Sequence, residues 1–428
     1  MTTSPSRTGG SRFELFAVTA PGLESITAGE LKTLGVRGRQ EPGGVAFNGG
    51  SDRVYLANLW LRTTSRVLLR VGRFHASTFY ELERRAKKIR WADFLPQRGS
   101  VTVRVTCRKS RLYHSDAVAE RVLSAIAREA GPDVDLQPAA SANGDAGDDE
   151  IDAKGTGKAL PDGEATARSQ SFVVRIVDDQ CEISADTSGE LLHRRGYRQE
   201  VAKAPLRETL AAAMLLASGW RRSEPLIDPM CGSGTIPIEA ALIAHRKAPG
   251  LARRFQFMNW PSFDERLWNG LVEKARESVM KGTVDIRGAD RDAGAIESAA
   301  RNAARAGVGD DVKFSTESVS TSFAALEDVA DGEGWIITNP PYGVRVGDSG
   351  DLRNLYATLG LGLRAKRGWR MGILTADDSL AGQMRIPVRA RFESSNGGIP
   401  VKYLVSDKAD GSVSPRERVA VDAKEGGQ

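Results

Sequence analysis

From Leu206 onward, short apolar runs alternate with amphipathic stretches, and this alternation constrains the fold more than any other feature of the chain. The runs Pro225–Ile227, Val284–Gly288, Val312–Phe314, Gly334–Thr338 and Arg370–Leu374 are too short for buried helices and read as strands. Helical spacing fills the gaps at Thr235–His245, Phe263–Met280, Ala293–Ala306 and Leu352–Ala365, and a further helix, Leu206–Ser218, comes first and is closed by Gly219. Parallel neighbours need crossover connections, so the pattern implies a doubly wound parallel sheet. Two last runs, Arg391–Asn396 and Ile399–Val405, are separated only by Gly397-Gly398 and read as an antiparallel hairpin at the sheet edge.

The front of the chain reads differently. Strands are expected at Phe13–Val18, Gly44–Phe47 and Arg66–Phe74, and helices at Gly22–Leu34 and Ser51–Leu61. That is a small α+β unit of ferredoxin-like type. A second unit follows, with helices at Phe79–Ile89 and Ser115–Ala130 and strands at Val101–Val105, Ser171–Val177 and Cys181–Ala185. Residues 132–170 are rich in Gly, Ala, Asp and Pro and cannot bury enough surface to offset ordering entropy, so they are predicted to be a disordered insertion within a domain. The expected division is 12–65, 66–187 and 188–408. Met1–Ser11 and the stretch after Asp407 read as polar tails.

A chain of 428 residues is too long for one ordinary domain. It has no run of eighteen apolar residues, so no membrane span is expected. Cys107, Cys181 and Cys231 stand at neither disulfide nor metal spacing, and the four histidines complete no ligand set. The expectation is a reducing, cytoplasmic compartment and no metal. Net charge is only +5, but between Arg53 and Arg128 basic residues far outnumber Glu81, Glu83, Asp93, Asp116 and Glu120. Such an excess can neutralise phosphates, and the candidate contacts are Arg84, Arg85, Lys87, Lys88, Arg108 and Lys109. The plainer alternative is a set of solvated helix faces.

Two loops carry the chemistry. The strand at Leu226-Ile227 runs into Asp228-Pro229-Met230-Cys231-Gly232-Ser233-Gly234-Thr235 and then a helix. Gly232 and Gly234 allow close backbone approach to a ligand, and amides at the helix start favour a carboxylate. Asp228 is placed to accept from an ammonium group. This suits the methionine end of S-adenosyl-L-methionine. No Lys follows the glycines, which disfavours a triphosphate loop. Asp290, at the end of the next strand, is the candidate for ribose hydroxyls, with Asp292 read as the cap of the following helix. After the third strand no Asp appears, and Ser318 or Glu317 takes the place of an adenine-facing carboxylate. Cys231 reads as small packing rather than a nucleophile.

The second loop is Asn339-Pro340-Pro341-Tyr342, following the apolar run Trp335–Ile337. An exocyclic amine on a base is a poor nucleophile because its lone pair is delocalised into the ring. The Asn339 side chain and the Pro340 backbone offer carbonyls for its two N–H groups, the prolines stiffen the backbone, and Tyr342 offers a flat face to an extruded base.

At these residues the chain resembles bacterial THUMP-domain RNA methyltransferases that make N2-methylguanosine, the single-methyltransferase-domain relatives of the large-subunit ribosomal RNA enzyme. The resemblance is carried by 186–198 (Asp186-Thr187-Ser188-Gly189-Glu190-Leu191-Leu192-His193-Arg194-Arg195-Gly196-Tyr197-Arg198), by 204–211, by the two loops, and by Pro249-Gly250-Leu251 and Trp260-Pro261. It implies an α/β protein, a Rossmann-like class I methyltransferase domain preceded by ferredoxin-like and THUMP α+β domains. It implies an S-adenosyl-L-methionine site lined by Asp228, Gly232, Gly234 and Asp290, and a target site at Asn339, Pro340, Pro341 and Tyr342; the reading of the residues adds Pro229, Cys231, Ser233, Thr235 and Ser318 to the cofactor set. The implied partner is structured RNA, ribosomal ahead of transfer RNA. Arg194, Arg195 and Arg198 are placed either on phosphate or in ion pairs where the domains join. The chain departs from the pattern at the third-strand Asp and at Val344, where the family often carries an acid. The expected activity is methyl transfer to guanine N2 of RNA. A transfer RNA substrate, a DNA adenine-N6 enzyme and a non-catalytic RNA-binding assembly factor are the alternatives.

Overall fold

The structure is a computed structural model and describes residues 12–139, 169–199, 206–324, 332–342 and 349–409. It divides into two compact units. One comprises Met1–Ala20, Thr27–Leu192 and Gly250–Lys274, and the other Pro21–Ile26, His193–Pro249 and Ala275–Gln428.

The first unit is built on one eight-stranded sheet, β1 (Phe13–Thr19), β2 (Gly38–Glu41), β3 (Gly44–Gly49), β4 (Thr64–His75), β5 (Gly99–Arg108), β6 (Val134–Pro138), β7 (Ser169–Val177) and β8 (Gln180–Asp186), in the order β2-β3-β1-β4-β8-β7-β5-β6. The two α+β parts expected at the front of the chain share it through β4. The first half of that strand pairs antiparallel with β1 and the second half with β8. Helices α1 (Glu24–Thr33), α2 (Ser51–Trp60), α3 (Phe79–Ala86) and α4 (Ser115–Ala127) lie between the strands. The spacing read on α4 is the buried face, with Val118, Val122 and Ile126 in the core. Two strands were not anticipated, β2 and β6. Both are outermost in the sheet and largely exposed; β2 is polar throughout, and β6 alternates only Val134 and Leu136 with Asp135 and Gln137, inside a stretch whose composition reads as an insertion. The expected insertion therefore yields a strand at its start, and its residues 140–168 lie outside the described residues.

Part of the basic run is spent inside this unit. Arg66 pairs with Asp186, and Arg70 reaches Glu14, Glu182 at 3.1 Å and Glu41 at 3.2 Å. Residues 250–274, though distant in sequence, complete the same unit. Tyr55 stacks on Phe257 at 4.6 Å, Trp260 meets Phe94 edge-on at 5.2 Å, and Trp260 Nε1 donates to Gln170 at 2.7 Å.

The second unit holds a seven-stranded sheet of β9 (Leu226–Asp228), β10 (Ile286–Asp290), β11 (Val312–Thr316), β12 (Trp335–Thr338), β13 (Arg370–Thr375), β14 (Val388–Asn396) and β15 (Ile399–Ser406), ordered β11-β10-β9-β12-β13-β15-β14. The first five positions are parallel, and β15 runs antiparallel to both β13 and β14. Helices α5 (Glu208–Ser218), α6 (Thr235–Ala244), α7 (Glu265–Glu277), α8 (Ala293–Ala306), α9 (Val319–Ala324), α10 (Ser349–Arg364) and α11 (Asp378–Gln383) follow in chain order, α7 belonging to the first unit as far as Lys274. α9 and α11 are single short turns of helix that no periodicity revealed. The strand order reverses beside β9, so the crevice at the carboxyl ends of β9, β10 and β12 is the place for a ligand. Among the described residues no helix is long and apolar enough to cross a membrane.

Candidate functional site

The loop after β9 is held from three directions. Gly232 N donates to Asp290 Oδ2 at 2.9 Å, Cys231 N donates to the Ala289 carbonyl at 2.9 Å, and buried Asn302 on α8 donates to the Ser233 carbonyl at 3.1 Å. Asp290 Oδ1 also accepts from Asp292 N at 3.0 Å. The loop glycines are left-handed, with φ of 52° at Gly232 and 86° at Gly234. They differ in surroundings. A Cβ on Gly234 would sit 3.0 Å from Ala299 Cβ, whereas one on Gly232 would meet nothing within 4 Å. Gly234 is thus a packing requirement, whereas the space beside Gly232 is open.

Asp228 is buried in the last position of β9. Its Oδ1 accepts from Met230 N at 3.1 Å and from the Thr338 hydroxyl at 2.7 Å. Burial pushes its carboxyl up to about 7, against the pull of those two bonds, and the nearby charge of Asp290 adds to the rise. Burial, with the Asp228 and Asp290 charges behind it, also holds the Cys231 thiol well above its ordinary range. That thiol is therefore protonated and packed, not a thiolate nucleophile. Pro229, Ser233 and Thr235 are buried in the same loop. Asp292 caps α8 by accepting from Gly294 N and Ala295 N, as the sequence implied. Ser318 is exposed, and its hydroxyl accepts from Thr321 N at 3.2 Å and meets the Thr321 hydroxyl at 2.9 Å, so it serves the start of α9.

The second loop leaves β12, which is hydrogen-bonded to β9 with Ile336 opposite Ile227. The Asn339 side-chain oxygen is buried and has no hydrogen-bond partner among the described residues. Pro340 is buried and Pro341 and Tyr342 are half-buried. Tyr342 Oη accepts from Asn396 Nδ2 at 2.8 Å, and burial raises the Tyr342 hydroxyl above its usual range. Val344 lies outside the described residues. Sequence reasoning missed Thr338, Asn302 and Asn396. Only Thr338 had a local signal, its place just before Asn339.

The basic candidates divide. Arg84, Lys87, Lys88, Arg108, Lys109 and Arg194 are exposed and Arg85 is half-buried. Of the two alternatives, phosphate or ion pairing, Arg195 takes an ion pair, and it lies within the second unit. Its side chain is 3% exposed and pairs with fully buried Glu239 at 3.4 Å, and Tyr197 Oη donates to the same carboxylate at 3.2 Å. Arg198 is likewise turned inward, onto Glu208 at 3.0 Å and the Leu206 carbonyl at 2.7 Å. A guanidinium buried on a carboxylate is not available to a phosphate.

Three family models match: an RlmL ferredoxin-like domain at residues 14–68, a THUMP domain at 76–139, and an RMKL-like methyltransferase domain at 195–404. The chain is 34% identical over 393 residues to a putative RNA methyltransferase, slr0064, of Synechocystis, covering 91% of this chain and 95% of that protein. It is 34% identical over 407 residues to the ribosomal RNA large subunit methyltransferase K/L of Syntrophotalea carbinolica, covering 93% of this chain but only 54% of that longer protein. Among solved structures, SMU.472, a putative methyltransferase complexed with SAH, superposes with a TM-score of 0.77 at 29% identity, covering 95% of this chain and all of that one. A predicted N6-adenine-specific DNA methylase from Listeria monocytogenes superposes at 0.76 with 32% identity, covering 92% and 96%. The open backbone at Gly232, fixed by Asp290, fits S-adenosylmethionine as the cofactor. The chain belongs to the family of S-adenosylmethionine-dependent RNA methyltransferases that join a THUMP domain to an RMKL-like methyltransferase domain.

Proposed function

We propose that the chain methylates the exocyclic N2 of a guanine in structured RNA in the cytoplasm, with 23S ribosomal RNA ahead of transfer RNA as substrate. The observation that carries this reading is the buried Asn339 carbonyl with no partner among the described residues. An unsatisfied buried acceptor costs about 1–3 kcal/mol, so its retention fits a donor that arrives with the substrate. An exocyclic amine brings two N–H groups, one for Asn339 and one for the Pro340 backbone carbonyl. Holding both lets sp³ character develop and turns the nitrogen lone pair outward. The Tyr342 ring is the face on which the base stacks.

S-adenosylmethionine, when bound, supplies a methyl group already activated on a sulfonium. The chain's own part is positional. Gly232 leaves its backbone open, Asp290 and Asn302 fix the loop, and Thr338 ties that loop to the strand that presents Asn339. Alignment of this kind lowers the barrier without a covalent intermediate. The THUMP domain and the names of the relatives support RNA, and the exposed Arg84, Arg85, Lys87, Lys88, Arg108, Lys109 and Arg194 are the proposed phosphate contacts. Adenine N6 is the second reading, because the same carbonyl pair would suit that amine and a DNA-methylase title stands among the structural neighbours.

The test is methyl transfer from labelled donor to unmodified 23S ribosomal RNA, transfer RNA and duplex DNA, followed by digestion to nucleosides. Label in N2-methylguanosine is expected. Label in N6-methyladenine, or none in any folded RNA, overturns the proposal.

A further inference from the structure

The hairpin of β14 and β15 turns through Gly397 and Gly398 alone, at φ of 59° and 83°. Two successive left-handed residues make the tight turn that matches strand twist, so the tip is rigidly placed. Its register locates it. Thr375, the last residue of β13, faces Lys402, and β15 begins farther out, at Ile399. The tip therefore projects past the carboxyl edge of the parallel strands, the edge from which the Asp228 and Asn339 loops leave.

Phe392, Ser394 and Asn396 alternate onto one face of β14. Phe392 follows the core rule, buried and stacked on Tyr403 at 5.2 Å. The next two positions do not. The Ser394 hydroxyl is buried with no partner among the described residues, and Asn396 Nδ2 donates to Tyr342 Oη at 2.8 Å. The turn itself is supplied by the glycines and does not need an Asn side chain. Two prolines stiffen the backbone leading into Tyr342 but not its ring, whose swing about χ1 and χ2 is limited by what its hydroxyl meets.

We infer that Asn396 is a positioning residue for the target base, acting through Tyr342, whose ring it holds at the acceptor loop. This rests on the reading of Tyr342 as the stacking face. A ring pinned at its far end presents one plane to an incoming base, and a free ring presents many.

The test compares Asn396→Ala, Tyr342→Phe and the double variant for kcat, KM for RNA, affinity for S-adenosylhomocysteine and thermal midpoint. The Tyr342 hydroxyl is titrated by ultraviolet difference against Tyr342→Phe. Asn396→Ala should lower kcat by about threefold to tenfold, the range of one hydrogen bond, with cofactor affinity and thermal midpoint unchanged. It should cost nothing further in the Tyr342→Phe background, and Tyr342 should titrate higher once the donor is gone. The inference is overturned by an equal loss in both backgrounds, by a fall in thermal midpoint and cofactor affinity alongside kcat, or by full activity. Absence of transfer by the wild-type protein would instead strike the proposed function, and an unmoved Tyr342 titration would sink the inference in either case.

Discussion

The Thr338 hydroxyl donates to the Asp228 carboxylate at 2.7 Å, joining the ends of two neighbouring parallel strands. One strand feeds the loop that fits the methyl donor, and the other feeds the loop proposed to grip the acceptor. Their separation is thus set by a sheet ladder plus one side-chain bond, which suits a reaction whose rate depends on alignment.

Asp228 should make stability pH-dependent. Its carboxyl is raised to about 7 by burial, above its unfolded value, so the folded state holds a proton that the unfolded state has lost. The stabilisation is complete below the unfolded value, about 3.9, and is lost as pH rises toward 7. Asp228→Asn removes the titration and keeps an acceptor for Met230 N and Thr338. The thermal midpoint of this variant should gain on wild type by several degrees between pH 5 and pH 8, as read by scanning calorimetry. A constant offset across that range would refute the account.

Asn339→Ala should separate function from stability. Removing a buried acceptor that has no partner releases its desolvation penalty, so the thermal midpoint should hold or rise. Turnover should fall by roughly a hundredfold or more while affinity for S-adenosylhomocysteine, measured by calorimetry, stays near wild type.

The two loop glycines should fail in different ways. Gly234→Ala combines a left-handed φ with contacts near 3 Å to Ala299, Ile238 and Phe314, and should destabilise by several degrees. Gly232→Ala meets open space, so its cost is the backbone strain of about 1 kcal/mol. Its main loss should be cofactor affinity. Equal thermal midpoints for the two variants would contradict this division.

Surface and buried arginines should also part company. Arg84→Ala with Lys88→Ala should weaken RNA binding and reduce the slope of log affinity against log salt by about 1 per residue, with stability unchanged. Arg195→Ala leaves Glu239 buried without its cation and should cost about 3–5 kcal/mol in folding. Its salt slope should match wild type. A reduced slope for Arg195→Ala would return that residue to the RNA-facing set.

Both loops were legible because their signal is local, a few apolar strand residues followed by Gly or Pro at fixed offsets. The parallel sheet followed from alternation alone, whereas its strand order came only from the structure. What escaped the sequence is non-local or two-sided. Asn396 meets Tyr342 across 54 positions only because the hairpin register carries it there. β2 is an edge strand with no apolar residue, and β6 is an edge strand whose period rests on Val134 and Leu136 alone. Arg195 and Arg198 are basic in any reading, and only packing tells that their charges are consumed indoors.

The aromatic segment at 250–274 has a consequence for the history of such chains. Phe257 and Trp268 close over Tyr55 within the first unit, with Phe255 packed on both, yet all three are encoded after the donor loop. A gene fragment cut at Leu192 would deliver a front half with its hydrophobic side uncovered. One crossover cannot transplant that half onto another enzyme intact, and any viable chimera must inherit two separated stretches of coding sequence together.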